Sequence, residues 1–292
     1  MFRFKNKTIV IVSQQDWGKM FISKHHYAVE LAKMGNTVYY LEGPSTDRRI
    51  PAGSIKIIET AFEGVFVIKH RLYYPGGLKH KLYGMHALLI KIHIGRILRI
   101  LKKRVDIVWS FDISATIPLA AFPKYVFKIL MPVDEHNNKH SIVDGNNAHV
   151  ILSVTNEILV KYRSCDKPSL FVNHGVSDVF ICNIADATAN IAQNVALSGN
   201  FLRNDIDWET LLSIVKENPG IMFHFFGSYR QNDGNLTSHA QYVPVRELSE
   251  AINLPNTQFY GIVSSNTLAE MLRKMDVFLI CYDISKDQSN GT

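Results

Sequence analysis

Glycine closes three apolar runs in the last third of the chain: Gly199 after VALS, Gly227 (followed by Ser228) after MFHFF, and Gly261 after TQFY. Asn200 and Arg203 follow the first of these and precede a helix-patterned segment. Backbone N–H groups and a cation at a strand end, ahead of a helix N-terminus, are what a phosphate or diphosphate needs. The plainer reading is a turn with a surface arginine, because Asp205 stands near where a lysine would be more familiar. At Gly227 and Gly261 glycine permits close backbone approach to a nucleotide, or merely ends a strand. A second set could move protons. Asp112 (WSFD) and Asp134 with Glu135 (MPVDEH) lie just past expected strands, and His25 and His26 open the first expected helix. Asp134 ranks first as a base and His26 second. The competing reading of a lone acid after a strand is a helix cap or a surface group. Asn173-His174-Gly175 ends the last strand of the first half. Structural duty is expected of Gly175, while His174 faces phosphates or packs at a hinge.

The elements that must position these residues alternate along the whole chain. Strands are expected at Thr8–Ser13, Thr37–Glu42, Ile55–Glu59, Phe66–His70, Asp106–Phe111, Phe127–Val133, His149–Val154 and Ser169–Asn173. Helices are expected near Ser23–Met34, Lys79–Lys103 and Asn156–Tyr162, with Gly35 as a stop. Such alternation argues for a largely parallel sheet covered on both faces. After NHGVSDVF, the stretch 181–194 has no strong period and reads as a linker. A second series then runs: strand Val195–Ser198, helix Asp207–Glu217, strand Ile221–Phe226, helix Val245–Ala251, strand Gln258–Tyr260, helix Asn266–Met275 and strand Val277–Cys281. Within Asp207–Glu217, Trp208, Leu211, Leu212 and Val215 share one face. The expected class is α/β with two Rossmann-like doubly wound domains, residues 1–180 and 195–292. Ligands in such sheets bind outside the carboxyl ends of strands, so the interdomain cleft is the expected site.

Composition agrees with a folded chain of two such domains: 292 residues, 47% hydrophobic and 20% charged. Cys165, Cys182 and Cys281 make neither a metal spacing nor a disulfide framework, which points to a reducing, cytoplasmic setting. The N-terminal apolar run is short for a signal peptide, and no run suits a membrane span. The net charge of +6 is uneven, since residues 79–104 hold eight Lys/Arg and no acid. At about 100° per residue, Tyr83, Ile90, Ile94, Ile97 and Leu101 share an apolar face, while Lys81, Lys91, Arg96, Arg99, Lys102 and Lys103 fall on another side among Met85, Leu88 and Ile92. Cations interleaved with apolar residues suit peripheral contact with an anionic membrane, at the inner face of the plasma membrane. The bland alternative is a solvated helix. Nucleic acid is not expected: the cations sit on one helix and no recognition motif accompanies them.

Read in order, the segments IVIVS, QQDWGKMFISKHHYAVELAKMGNTVYYLE, AHVILSVTNEILVKY, LFVNHGVSDVF, ALSGN, FHFFGS and NTQFYGIVSSNTLAEMLRKMDVFLICY resemble glycosyltransferases of the GT-B fold, in particular their bacterial surface-polysaccharide branch. The resemblance covers nearly the whole chain. It implies transfer of a sugar from a nucleotide diphosphate to a glycan or lipid-linked acceptor, with no cofactor and no obligatory metal. The first domain would then take the acceptor and the second the donor, with Gly199, Asn200, Arg203, Gly227, Gly261 and His174 on the donor. Asp134 or His26 would take the acceptor proton, and Trp17 with Gly18 would shape the acceptor pocket, unless Trp17 is simple core. Members of this fold continue past the ICY strand with a Pro/Lys turn, a Glu on the donor ribose, a further strand and a returning helix. This sequence closes instead on DISKDQSNGT, so an incomplete, truncated second domain is expected. That departure motivates a different reading, a non-catalytic GT-B-like remnant or subunit that binds a membrane or partner. A nucleotide-sugar epimerase of the same fold is a weaker third.

Overall fold

The computed structural model describes residues 4–18, 20–134, 139–181, 192–230, 246–283 and 285–286. They form two compact units, one of residues 1–17 and 22–175, the other of residues 18–21 and 176–292. Residues 182–191, most of the expected linker, lie outside the described residues, as do Cys182 and Glu135.

The first unit runs β1 (Thr8–Val12), α1 (Ser23–Lys33), β2 (Thr37–Leu41), β3 (Ile55–Glu59), β4 (Val65–His70), α2 (Leu78–Lys81), α3 (Tyr83–Ile100), β5 (Ile107–Ser110), β6 (Phe127–Leu130), α4 (Lys139–Gly145), β7 (Val150–Ser153), α5 (Asn156–Lys161) and β8 (Ser169–Phe171). Its sheet has the order β3-β4-β2-β1-β5-β6-β7-β8. Every pairing is parallel except β3 with β4. All five residues of β1, TIVIV, are buried. Because successive side chains point to opposite faces, Ile9 and Ile11 enter the core beneath α1 with Ala28 and Leu31. Val10 and Val12 enter the other core, with Ile90, Ile94 and Ile97 of α3.

The expected single helix Lys79–Lys103 is corrected to two. The chain breaks at Leu82, whose φ of −141° and ψ of 70° leave the helical region, so α2 is one turn and α3 carries the packing. Ile90, Ile94, Ile97 and Leu101 are buried as their spacing requires, and His86 and His93 join them on the core side. Helix α4 was not expected. Its sequence, KHSIVDG, buries Ser141, Asp144 and Gly145 rather than an apolar stripe, so hydrophobic periodicity carries no sign of it.

The second unit runs β9 (Asn194–Ser198), α6 (Trp208–Glu217), β10 (Met222–Phe226), α7 (Arg246–Ile252), β11 (Thr257–Gly261), α8 (Ser265–Leu272) and β12 (Val277–Phe278). Its four strands are all parallel, in the order β11-β10-β9-β12. Asp207 caps α6 by accepting the Thr210 N–H at 3.1 Å, and the expected face of Trp208, Leu211, Leu212 and Val215 is buried against β9 and β10. β12 is shorter than expected. After Phe278 the chain leaves the ladder and pairs Tyr282 antiparallel with Ile206.

Hydropathy alone treats Ile92 and Ile94 as equals, yet Ile94 is fully buried and Ile92 is half exposed. Ile94→Ala is expected to destabilise the first unit by about 2–5 kcal/mol and Ile92→Ala by about 0.5 kcal/mol or less. Urea denaturation of the two variants would measure the difference, and equal losses would contradict this orientation of α3.

Candidate functional site

In an open parallel sheet, neighbouring strands that connect in opposite directions leave a crevice outside their carboxyl ends. Among the described residues each unit has one such switch point. In the second unit it falls at β9, with β10 on one side and β12 on the other. Leu197 to Phe201 and Leu279 to Tyr282 line a cavity of about 30 Å³ there. That is the scale of a water molecule. The 199–207 loop that forms its rim is held from both sides. The Gly199 N–H donates to the Phe226 carbonyl at 2.9 Å and the Phe201 N–H to the Ser228 carbonyl at 2.8 Å. From the other side, the Asp207 N–H donates to the Cys281 carbonyl at 3.2 Å and the Asp283 N–H to the Asp205 carbonyl at 2.8 Å.

Gly199, Gly227 and Gly261 therefore converge at the ends of adjacent strands, as the spacing suggested. Gly227 has a steric reason to be glycine: its φ is +130°, and a Cβ there would stand 1.8 Å from the Gly199 carbonyl oxygen. Gly261 has a φ of +69°, and its carbonyl accepts the Gly227 N–H at 2.8 Å. A Cβ on Gly199 would meet only the Tyr282 hydroxyl, at 3.5 Å. The Asn200 side chain accepts the Leu202 N–H at 3.1 Å, which shapes the turn. Arg203 forks onto Asp205: its Nε donates to Oδ1 at 2.8 Å and its Nη2 to Oδ2. Asp205 is fully buried, and the Arg203 hydrogen bonds hold its carboxyl below the usual range. The guanidinium also sits 5.1 Å from the Tyr282 ring centre. Asp205 at the place of a familiar lysine is thus the internal partner of Arg203. The rim cation is anchored as well as charged.

In the first unit the switch point falls between β1 and β5. Two adjacent histidines part company here. His25 is buried, and its Nδ1 accepts the Ile22 N–H at 3.2 Å. The proton therefore belongs on Nε2, which lies 3.1 Å from both the Asp16 carbonyl and the Tyr40 hydroxyl. Its ring stacks on Tyr40 and packs against Trp17, which is partly buried within the same core. His25 thus pins the loop after β1. His26 is half-buried on α1, and burial pulls its pKa below the ordinary value, so it is neutral at pH 7, the form a base requires. Asp134 is exposed beyond β6 and lies within electrostatic reach of Lys24. Asp112 is buried and committed to its own loop. Its Oδ1 accepts from the Ser114 N–H at 2.9 Å and Oγ at 2.5 Å, and its Oδ2 accepts from the Ile117 N–H at 2.8 Å. His174 is exposed. Gly175 has neither a positive φ nor any atom near a would-be Cβ, which corrects the structural duty expected of it.

Lys24, Glu42 and Asp144 are among the buried ionisable residues of this unit that sequence reasoning passed over. Lys24 is 3% exposed and donates from Nζ to Gln15 Oε1 at 2.6 Å; burial lowers its pKa, while Asp134 and Asp112 act to raise it. Glu42 accepts the Trp17 N–H at 2.8 Å, and burial raises its carboxyl to about 7. Asp144 accepts the Leu119 N–H at 2.8 Å and is raised to about 7, again by burial. Glu42 had a signal in the sequence, an acid closing the apolar run VYYL. Lys24 had another, a cation in a helical first turn without acids. Among the described residues no group of three His, Cys, Asp or Glu is placed to hold a metal ion, and no helix is long and apolar enough to cross a membrane.

No family model and no curated protein matches the chain. Solved structures do. The E. coli trehalose-6-phosphate synthase bound with UDP-2-fluoro glucose shares 10% identity at a TM-score of 0.60, over 95% of this chain and 78% of that one. Sucrose-phosphate synthase from Thermosynechococcus elongatus shares 13% at 0.60, over 94% and 75%. The lipopolysaccharide outer core galactosyltransferase WaaB shares 11% at 0.53, over 92% and 72%. At these identities the likeness concerns the fold, which is GT-B: an α/β chain of two parallel-dominated sheets. The neighbours themselves are glycosyltransferases.

Two predictions follow from the rims. Gly227→Ala is expected to cost at least about 1–3 kcal/mol through strain at a glycine-only φ, with the steric clash added. Gly199→Ala, with only an ordinary contact to meet, should leave the melting temperature nearly unchanged. Equal effects in thermal denaturation would remove the steric account of Gly227. The second concerns pH. Burial holds His25, His70 and His93 down to about 4, against an ordinary 6.5. Between these values the unfolded chain binds protons that the folded chain refuses, so acidification through this window destabilises. Glu42 and Asp144, raised to about 7, oppose it. Their contribution is full below their unfolded values and is lost as pH rises through about 7. Removing the opposition in Glu42→Gln/Asp144→Asn should steepen the stability loss from pH 6.5 to pH 5 by roughly two protons. Urea titrations at the two pH values give the slopes, and parallel slopes would contradict this balance.

Proposed function

We propose that the chain is a glycosyltransferase that moves a sugar from a nucleotide diphosphate donor to a glycan or lipid-linked acceptor in surface-polysaccharide synthesis. The observation that carries this reading is the second unit's switch point. There, strand-end glycines, a loop tied by backbone hydrogen bonds on both sides and an anchored arginine meet on one rim of a GT-B domain. Departure of a nucleoside diphosphate builds negative charge on the leaving phosphate, and preorganised N–H donors and a fixed cation stabilise that charge. In this reading the second unit binds the donor through Gly199, Asn200, Arg203, Gly227 and Gly261, with His174 as a further phosphate contact, and the first unit binds the acceptor.

On the first unit, Asp134 or the neutral His26 takes the proton from the attacking hydroxyl. Support for UDP as the nucleotude's identity comes by analogy, since the E. coli neighbour is bound with a UDP-sugar. Support for a surface glycan as the product comes from the sequence resemblance and from the lipopolysaccharide galactosyltransferase among the neighbours. Transfer needs no metal in this reading, because amides and Arg203 supply the positive field.

Calorimetric titration of the chain with UDP tests the donor site. Arg203→Ala also strips Asp205 of its partner, so Arg203→Lys is the cleaner variant, keeping the charge and losing the planar fork. The expected outcome is a tenfold or greater loss of UDP affinity for Arg203→Ala, in line with about 1.5–3 kcal/mol for a charge-assisted hydrogen bond, and an intermediate loss for Arg203→Lys. Absence of UDP and other nucleoside diphosphate binding by the folded wild-type chain would overturn the reading.

A further inference from the structure

The outward face of a helix on a globular protein is ordinarily polar. That of α3 is not. Met85, Leu88 and Ile92 are 51%, 61% and 50% exposed, and Leu82, just ahead of the helix, is 54% exposed. At about 100° per residue, Met85, Leu88, Lys91, Ile92, Arg96 and Arg99 share an arc of roughly 140°, opposite the side that buries Ile90, Ile94 and Ile97. Among the described residues no ion pair engages Lys81, Lys91, Arg96 or Arg99. Gly84 and Gly95 lie on the same side with open space around them. The result is a ridge of 18 residues, about 27 Å long, with apolar side chains along its crest and cations beside them.

The charge selects an anionic partner and the crest selects one with an apolar interior. A nucleic acid offers phosphates but nowhere to bury Leu88 and Ile92. The headgroup and acyl boundary of an anionic bilayer offers both, in the flat geometry that a ridge fits. We propose that α3 docks the chain on an anionic phospholipid leaflet, lying in its plane. Met85, Leu88 and Ile92 enter the boundary, and Lys81, Lys91 and Arg99 rest on lipid phosphates. This deepens the lipid-linked acceptor of the preceding reading by placing the chain where such acceptors reside, but it stands on α3 and not on the donor site.

The test uses the full chain and co-sedimentation with vesicles of phosphatidylcholine alone or with equimolar phosphatidylglycerol. Binding to the anionic vesicles should be at least about tenfold tighter and should weaken with salt. Leu88→Gln/Ile92→Gln changes only exposed positions and should reduce vesicle binding about tenfold or more while UDP affinity and melting temperature hold. Leu88→Trp should show a blue-shifted emission on anionic vesicles, marking entry into the boundary. Equal binding to both vesicle types, no loss in the glutamine variant, or an unshifted tryptophan would each overturn the proposal. So would binding to single-stranded RNA but not to vesicles. Failure of UDP binding with vesicle binding intact would count against the transferase reading alone.

Discussion

The first unit depends on the burial of β1 on both faces. A five-residue strand that gives Ile9 and Ile11 to one core and Val10 and Val12 to the other can only sit in the middle of a covered sheet. Its neighbours leave in opposite directions, β2 to one side and β5 to the other. The crevice at their carboxyl ends is a consequence of that reversal. That crevice has its place before any polar residue is considered.

The polar residues on that rim are there at an energetic cost. His25, Lys24 and Glu42 all lie at or below a few percent exposure, where an ionised group loses its hydration. Each is held by a short-range partner: the Ile22 N–H, the Gln15 carboxamide and the Trp17 N–H respectively. The same loop, Ser13 to Trp17, thus organises both the core aromatics and the buried charges. Asp112 repeats the arrangement after β5, spending its carboxylate on Ser114 and Ile117.

The second unit solves a similar problem with backbone. Its strand ends approach so closely that Gly227 tolerates no side chain, and the 199–207 loop is tied to the residues that follow β12. Arg203 and Asp205 extend this economy. A buried carboxylate that would be costly alone becomes the anchor of the rim's cation, and the pair's geometry matters as much as its charge.

Fold class, strand order along the chain and the buried faces of α3 and α6 were legible in the sequence, because hydrophobic period is a local property set by which side must face a core. The strand-end glycines were legible for the same reason, as punctuation between periods. The resemblance to GT-B glycosyltransferases agreed with the fold for a related reason: it rested on the order of such segments. What the sequence could not decide were questions of partnership. It could not separate His25 from His26, since adjacent residues on a helix differ only in what the rest of the chain brings against them. It could not show that Asp205 takes the fork of Arg203, that Asp112 is bound into its own loop, or that Gly175 has no positive φ. It missed α4, which buries polar atoms instead of an apolar stripe, and it ran α2 and α3 together across Leu82. Period reports the direction a residue faces. Only the tertiary structure supplies the neighbour it meets, and hydrogen bonding and pKa are decided by the neighbour.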